Sequence, residues 1–238
     1  MNTRPLCAIV GAGAGLGVAL ARAFAANGHD LLLVGRSASG QSAAREAGDS
    51  AGARVEVREA DARDPQALSQ ALQAAMPPEV LIYNPRAGIT SRPPLEVTPQ
   101  DLQDILALEV VGAFAAAKAV LPAMTERGRG TIIFSSATAA LRGSGRNMLY
   151  AVGKFGLRGL SQSLAKAYAS KGVHVAHVRL DCALDVPVVR KMMGERYDKS
   201  LTADTDDVAR SYVWIHQQPR SAWSNEIELR PYTENWTC

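Results

Sequence analysis

A glycine-rich turn near the start of the chain constrains the fold more than any other feature. Residues 10–17 read Val-Gly-Ala-Gly-Ala-Gly-Leu-Gly, between the apolar run Leu6–Val10 and an alanine-rich stretch, Val18–Ala26, that is predicted to be helical. Glycine has no Cβ, so the backbone can turn sharply and approach a ligand closely. Exposed N–H groups and the positive end of the following helix then favour a phosphate or diphosphate. The alternative is a tight turn without a ligand, but the order strand, turn, helix favours a nucleotide site.

Apolar runs alternate with amphipathic stretches along the rest of the chain, as is typical of a doubly wound parallel sheet. We therefore predict an α/β fold, with one Rossmann-type domain over residues 1–238 whose sheet is flanked by helices. Residues 181–204 show no clear period, and we expect a mobile segment there that covers the substrate. Further strands are predicted at Asp30–Gly35, Arg54–Val57, Val80–Tyr83, Thr131–Phe134, Val173–Leu180 and Asn225–Leu229. Further helices are predicted at 41–47, from Asp64 onward, and at Pro99–Met124, Asn147–Ser170 and Thr205–Gln217.

Composition excludes several classes of protein. Of the 238 residues 47% are hydrophobic and 21% charged, and the net charge of +3 is scattered without the basic block of a nucleic-acid-binding protein. Cys7, Cys182 and Cys238 lie far apart and give neither a disulfide framework nor metal-ligand spacing. No secretory segment follows Met1, and no apolar run reaches the ~18 residues of a membrane helix. We expect a cytoplasmic protein with a small-molecule substrate, and no nucleic acid, membrane or metal.

A second motif consists of Tyr150 and Lys154, four residues apart near the start of the helix predicted at 147–170. This spacing places both side chains on one helical face. A phenol with a pKa near ~10 is a poor acid or base at neutral pH, and a nearby ammonium lowers that pKa. Alone, the pair is more typical of a packed tyrosine beside a surface lysine. Its position after the fifth strand of a chain that opens with a glycine-rich turn favours catalysis.

The spacing Gly11-x-x-x-Gly15-x-Gly17, together with Tyr150-x-x-x-Lys154, resembles the short-chain dehydrogenase/reductase family. Residues 150–160 match the catalytic helix of that family closely, and the resemblance covers nearly the whole chain. It implies that the tyrosine exchanges a proton with the substrate oxygen, and that the lysine holds the nicotinamide ribose. Asp61, followed by Ala62, would bind the adenine, and Asn84 is either a cofactor contact or a turn residue. The implied cofactor-binding residues are Gly11, Gly13, Gly15, Leu16, Gly17, Asp61, Ala62, Asn84, Tyr150 and Lys154.

The end of the second predicted strand indicates which dinucleotide is used. NAD-binding proteins place an acidic residue there to accept the ribose hydroxyls. Gly35 occupies that position, and Arg36 follows with a guanidinium that suits a 2′-phosphate. NADP(H) is therefore favoured over NAD(H). A solvated surface arginine is the alternative.

The serine that this family uses to polarise the substrate is absent. The position thirteen residues before Tyr150 is occupied by Ala137. Ser136 or Thr138 could replace the missing hydroxyl, and Ser144 is a more distant candidate. Each of these hydroxyls is equally well explained as an ordinary group that bonds to the backbone.

Three further positions depart from the family pattern. Glu109 stands in the apolar run 106–112, where the family has an asparagine. Its carboxylate could pair with Lys154, either structurally or functionally, or act as an acid or base whose pKa is raised by burial. Pro85-Arg86 interrupts the family's Asn-Asn-Ala-Gly loop like an insertion, and Leu180-Asp181 replaces its Pro-Gly.

The leading functional hypothesis is an NADP(H)-dependent oxidoreductase of a carbonyl, an alcohol or an imine, with Tyr150 and Lys154 catalytic and Ser136 and Glu109 as further candidates. One alternative is a non-redox lyase, isomerase or cyclase that uses Glu109 and Tyr150. Another is a dinucleotide-binding protein with little activity. A homodimer or homotetramer is expected through the two long helices. The residues predicted to form that interface are Phe114, Ala115, Ala116, Ala117, Ala119, Val120, Leu157, Leu160, Leu164 and Tyr168.

Overall fold

The computed structural model describes residues 4–73, 76–88 and 91–233, so Cys238 lies outside the described residues. The strands are β1 (Leu6–Val10), β2 (Asp30–Gly35), β3 (Val55–Glu59), β4 (Val80–Tyr83), β5 (Gly130–Ala137), β6 (Val173–Leu180), β7 (Ala183–Leu184), β8 (Thr202–Ala203) and β9 (Glu226–Leu229). Seven of them form one parallel sheet in the order β3-β2-β1-β4-β5-β6-β9, and β7 pairs with β8. The predicted α/β fold class is confirmed.

Helices follow most of the strands, as the sequence pattern predicts. Asp64 accepts N–H groups of the first turn of the third helix, and Thr98 forms a capping box at the start of the fourth. The helices are α1 (Leu16–Ala26), α2 (Ala38–Ser50), α3 (Pro65–Ala71), α4 (Pro99–Leu106), α5 (Gly112–Glu126), α6 (Met148–Tyr168), α7 (Pro187–Met193) and α8 (Thr205–Gln217).

The sheet is buried on both faces, because successive side chains of a strand point to opposite sides. In β1, Leu6, Ala8 and Val10 belong to the core beneath α3–α6. Cys7 and Ile9 belong to the core beneath α1, α2 and α8. Strands covered in this way have continuous apolar sequences rather than alternating ones.

Strand order reverses between β1 and β4, and this reversal positions the candidate site. The chain winds outward from β1 through β2 to β3, and then returns to pair β4 with the other side of β1. In parallel sheets, ligands bind outside the carboxyl ends of the strands at such a reversal. The glycine-rich turn after β1, the loop after β4 and the end of β5 all lie at that edge.

The long helix predicted at Pro99–Met124 is interrupted by a π-helical segment, Ala107–Val111, between α4 and α5. Such segments are often found at functional sites. The Tyr83 hydroxyl donates a hydrogen bond to the Leu108 carbonyl oxygen inside this segment. Gly112 follows it, and a Cβ at that position would lie 2.1 Å from the carbonyl oxygen of Ala62. The segment therefore packs closely on the sheet, with the Glu109 side chain fully buried.

Residues 181–204 are more regular than expected. They contain β7, α7 and β8 together with 3₁₀ turns, because Pro187 starts a short helix whose apolar residues show no long period. Asp185 anchors the segment by pairing with Arg190 at 2.6 Å and by accepting a hydrogen bond from the Tyr197 hydroxyl. The expectation that this segment is mobile and covers the substrate stays a prediction.

The apolar faces predicted to form an oligomer are largely used by the core. Ala116, Ala117 and Val120 of α5, with Leu157 and Leu164 of α6, are buried against the sheet. The prediction that these residues form an oligomer interface is wrong, because their side chains are buried between the helices and the sheet. The exposed apolar side chains on these two helices and the π-helical segment include one predicted interface residue, Phe114 (46% exposed), together with Val111 (46%), Val152 (37%) and Phe155 (44%).

One helical stretch, Pro99–Glu126, is long and apolar enough to cross a membrane by length and composition alone. It is not an uninterrupted apolar run, since it contains charged residues such as Glu109 and Lys118. Its most apolar window has a mean hydropathy of 1.8, and 56% of that window is buried inside the protein. The buried alanines of α5 account for much of this apolar character.

Removing the Tyr83 hydroxyl tests the contact between the sheet and the π-helical segment. We expect Tyr83→Phe to lower the free energy of unfolding by ~1–3 kcal/mol, since the buried Leu108 carbonyl loses its partner. Tyr168→Phe is the matched control, because its hydroxyl has no hydrogen-bond partner in the part of the chain that is described, and it should change stability by less than ~0.5 kcal/mol. Chemical denaturation measures both. Equal stabilities of the two variants would contradict this role of Tyr83.

Candidate active site

Two adjoining cavities follow the carboxyl edge of the sheet. The first, of about 410 Å³, extends from the glycine-rich turn toward the ends of β2 and β3. The second, of about 240 Å³, extends from the same turn toward β5 and α6. Both are lined by Gly11, Gly13, Asn84, Pro85 and Arg86, so they form one continuous cleft.

The glycine-rich turn and the loop after β4 are packed backbone against backbone. Gly11 has φ 81°, and a Cβ there would lie 2.7 Å from the Pro85 nitrogen. The Asn84 side-chain amide donates a hydrogen bond of 3.1 Å to the Gly11 carbonyl oxygen. A Cβ at Gly17 would lie 2.7 Å from the backbone of Ala12, so this glycine allows α1 to start close to β1. Asn84 therefore fixes the turn and also lines the cleft.

The first cavity is bordered by charged groups at its far end. The exposed Arg36 lies at the end of β2, next to Ser37, whose side chain accepts an N–H at the start of α2. Asp61 lines the opposite wall with Ala62, and its carboxylate lies 3.6 Å from the Arg63 guanidinium. The sequence-predicted residues Arg36, Asp61 and Ala62 thus lie in one cavity with the first glycines of the turn.

A buried ion pair lies at the other end of the cleft. Lys154 Nζ is 2.8 Å from the Glu109 carboxylate, with side chains that are 2% and 0% exposed. The lysine also donates a hydrogen bond of 3.2 Å to the Ser135 carbonyl oxygen, and the second oxygen of Glu109 accepts the Ala87 N–H at 3.2 Å. The sequence left two roles open for Glu109, an ion pair with Lys154 or an acid or base. The structure shows the ion pair.

Tyr150 lies one helical turn before Lys154 and lines the second cavity. The lysine nitrogen is 5.7 Å from the centre of its ring. Burial raises the pKa of Tyr150 to about 12, with a further increase from the charge of Glu109 and a decrease from that of Arg86. The phenol is therefore protonated at neutral pH in the protein without a ligand.

The three candidate hydroxyls differ in their partners. Thr138 donates a hydrogen bond to Asp181, and Ser144 accepts the N–H groups of the two residues Arg146 and Asn147. Both hydroxyls are therefore held by bonds within the protein, Thr138 by a residue distant in sequence and Ser144 by the backbone of its own loop. Ser136 Oγ is buried in the second cavity beside Tyr150 and has no hydrogen-bond partner among the described residues. Strand alternation directs the hydroxyl of Ser135 to the opposite face, where it shares a hydrogen bond with Tyr212.

Several lining residues were not identified from the sequence. Leu184, Val186 and Val188 line the second cavity, so part of the segment 181–204 lies against the site. Arg86 lines both cavities and was noted only as part of an insertion. Its signal was available, because the insertion adds a basic residue to a loop that follows a central strand.

Comparison with known proteins identifies the family of this chain. The family profile described as short chain dehydrogenase matches residues 6–190. A 3-dehydrosphinganine reductase of Arabidopsis thaliana is 34% identical over 171 residues, which make up 70% of this chain. The matched part covers about half, 52%, of that reductase.

Two further proteins match along nearly the whole chain. An NADP-dependent 3-hydroxy acid dehydrogenase of Salmonella typhi is 25% identical over 240 residues, covering 96% of this chain and 95% of that protein. A crystal structure of a short-chain dehydrogenase from Rhodopseudomonas palustris is 32% identical, with a TM-score of 0.82, and covers 96% of this chain and 99% of that one. With the glycine-rich turn, the Tyr-Lys pair and this fold, the chain belongs to the short-chain dehydrogenase family.

Proposed function

We propose that this protein is an NADP(H)-dependent oxidoreductase that acts on a carbonyl, an alcohol or an imine of a small organic substrate. One observation carries the proposal: Tyr150, Lys154 and Ser136 line the same cavity as the glycine-rich turn. A proton donor, a cation and a hydroxyl are thereby placed next to a site suited to a dinucleotide.

The residues of the cleft fit such a cofactor. A Cβ at Gly13 would meet no atom within 4 Å, so its backbone faces open space in both cavities. Residues 13–17 lead into α1, whose N-terminus favours a phosphate. When bound, the nicotinamide would supply or accept the hydride, while the protein supplies position and the proton.

Tyr150 is the proposed proton donor. Its raised pKa keeps the phenol protonated at neutral pH, and this favours reduction, in which a proton passes to the substrate oxygen or nitrogen. Ser136 donates a hydrogen bond to the same substrate atom, replacing the serine absent at position 137. Leu184, Val186 and Val188 give this end of the cleft an apolar wall.

Lys154 is proposed to position the cofactor ribose. An ammonium has three N–H donors, of which one lies toward Glu109 and one toward the Ser135 carbonyl oxygen. One donor is left for a ribose hydroxyl. Glu109 holds the lysine in place as a positioning residue rather than exchanging a proton itself.

The relatives support this class of reaction. The Salmonella protein is named as an NADP-dependent 3-hydroxy acid dehydrogenase, and the Arabidopsis protein as a 3-dehydrosphinganine reductase. Both names describe interconversion of an alcohol and a carbonyl. Their substrates differ, so they support the reaction type and leave the substrate of this protein to be measured.

The proton donor is tested by Tyr150→Phe, which removes the hydroxyl and keeps the ring. We expect turnover with a panel of ketones, aldehydes and imines to fall by ~10²–10⁴, the contribution of a positioned acid or base. NADPH affinity and melting temperature should hardly change. Steady-state kinetics and fluorescence titration measure these quantities.

Three outcomes would contradict this mechanism. Near-normal turnover by Tyr150→Phe with a severe loss in Glu109→Gln would assign the proton to Glu109. Product formation without stoichiometric NADPH consumption would instead indicate a lyase, isomerase or cyclase. A wild-type protein that binds NADPH but turns over none of the panel would favour a dinucleotide-binding protein with little activity.

Cofactor preference is proposed to depend on Arg36. Gly35→Asp would introduce the acidic residue of NAD-binding proteins, but it would disturb more than the ribose site. A Cβ at position 35 would lie 3.1 Å from the buried Gln41 side chain. We therefore expect Arg36→Gln alone to weaken NADPH binding by about tenfold or more, the loss of one charged hydrogen bond. NADH binding should change little. Arg45→Gln, on the exposed surface of α2, is the control, and equal effects on both cofactors would contradict the proposal.

A homo-oligomer is proposed through the exposed apolar patch Val111, Phe114, Val152 and Phe155. These residues lie on neighbouring helical segments, and self-complementary patches commonly close symmetric dimers. We expect Phe155→Glu to shift the mass toward the monomer in sedimentation velocity. Leu95→Glu, at a fully exposed leucine outside the patch, is the control. A monomeric wild-type protein at micromolar concentration would rule this interface out.

A further inference from the structure

We propose that Arg86 binds the diphosphate of the dinucleotide, so that the loop after β4 completes the phosphate site of the glycine-rich turn. The inference rests on the proposed cofactor. It assigns a binding role to the Pro85-Arg86 pair that interrupts the family's loop.

The backbone holds Arg86 beside the phosphate-binding turn. Pro85 packs within 2.7 Å of where a Cβ on Gly11 would lie, and Asn84 bonds to the Gly11 carbonyl oxygen. The next residue, Arg86, lines both cavities where they meet. A dinucleotide that occupies both cavities must pass this junction, and the diphosphate is the part that joins its two halves.

The charges of the cleft support the same assignment. Its cationic residues are Arg36, Arg63, Arg86 and Lys154. Lys154 is paired with Glu109 at 2.8 Å, and Arg63 lies 3.6 Å from Asp61.

The other two cations, Arg36 and Arg86, form no ion pair with a residue in the described ranges. Arg36 lies at the far end of the first cavity, and Arg86 lies at the junction. NADPH carries phosphate at two places, the 2′ position and the diphosphate. The two unpaired guanidiniums correspond to these two groups.

The turn alone supplies little charge for a diphosphate. A helix N-terminus is equivalent to roughly half an elementary charge, whereas a diphosphate carries two negative charges. The amides of the turn carry no net charge, and the positive charge of Lys154 is balanced by the carboxylate of Glu109. A guanidinium can form two parallel hydrogen bonds to phosphate oxygens, so Arg86 supplies the missing charge with suitable geometry.

A substrate carboxylate is the competing ligand for Arg86, because the charge of Arg86 also acts on Tyr150. Three ligands separate these possibilities. NADPH and 2′-phospho-ADP-ribose contain the diphosphate, and the second of them lacks the nicotinamide. Adenosine 2′-monophosphate contains only the end that Arg36 faces.

Isothermal titration calorimetry with Arg86→Gln tests the proposal. We expect the affinity for NADPH and 2′-phospho-ADP-ribose to fall about 10- to 100-fold, as for the loss of a charge-assisted hydrogen bond. Affinity for adenosine 2′-monophosphate should be unchanged, which also shows that the variant is folded. Arg36→Gln is the matched control and should weaken all three ligands.

Each other outcome has a defined meaning. Unchanged binding of all three ligands by Arg86→Gln would overturn the inference, and an increase in KM confined to anionic substrates would assign Arg86 to the substrate. A wild-type protein that binds none of the three would overturn the proposed function itself. Failure of the inference about Arg86 and failure of the proposed function therefore give different results.

Discussion

The ion pair between Glu109 and Lys154 is the interaction on which the rest of the site depends. Two charged groups from different helices are almost fully buried and lie 2.8 Å apart. Removing one partner of such a pair typically costs about 3–5 kcal/mol, because the other charge is left buried and unpaired. Gly153 makes the pairing possible, since a Cβ there would lie 2.9 Å from the Glu109 side chain. The pair therefore fixes α6, and with it Tyr150, against the π-helical segment.

The same pair sets the electrostatics of the catalytic end. The Lys154 nitrogen lies 5.7 Å from the centre of the Tyr150 ring, and the pKa of Tyr150 depends on burial and on nearby charges. Burial and Glu109 raise that pKa, and Arg86 opposes them. The site therefore holds a protonated phenol beside the unpartnered hydroxyl of Ser136, an arrangement suited to donating a proton. The cationic residues of the cleft that form no ion pair within the described part of the chain, Arg36 and Arg86, lie instead along the proposed cofactor path.

The sequence was sufficient to predict the fold and the location of the site. Continuous apolar strands, caps such as Asp64 and the glycine-rich turn are local signals, and the parallel order then brings Tyr150 and the turn to one edge. The π-helical segment could not be predicted, because residues 99–126 read as one uninterrupted helix. The choice of Ser136 depended on the face toward which β5 turns each side chain, and the sequence does not specify that face. The role proposed for Arg86 depends on the contact of its loop with Gly11, which is a tertiary feature.

The pH dependence of substrate reduction, compared between the wild type and Glu109→Gln, tests the central claim most directly. Reduction requires the protonated phenol, so activity is present below the pKa of Tyr150 and is lost as the pH rises through it. Removing the Glu109 charge should lower that pKa, and the account predicts that the alkaline loss of kcat/KM moves to a lower pH in the variant. NADPH titration at each pH would verify that the variant is folded. An alkaline limb at the same pH in both proteins would contradict the claim that this ion pair controls the proton of Tyr150.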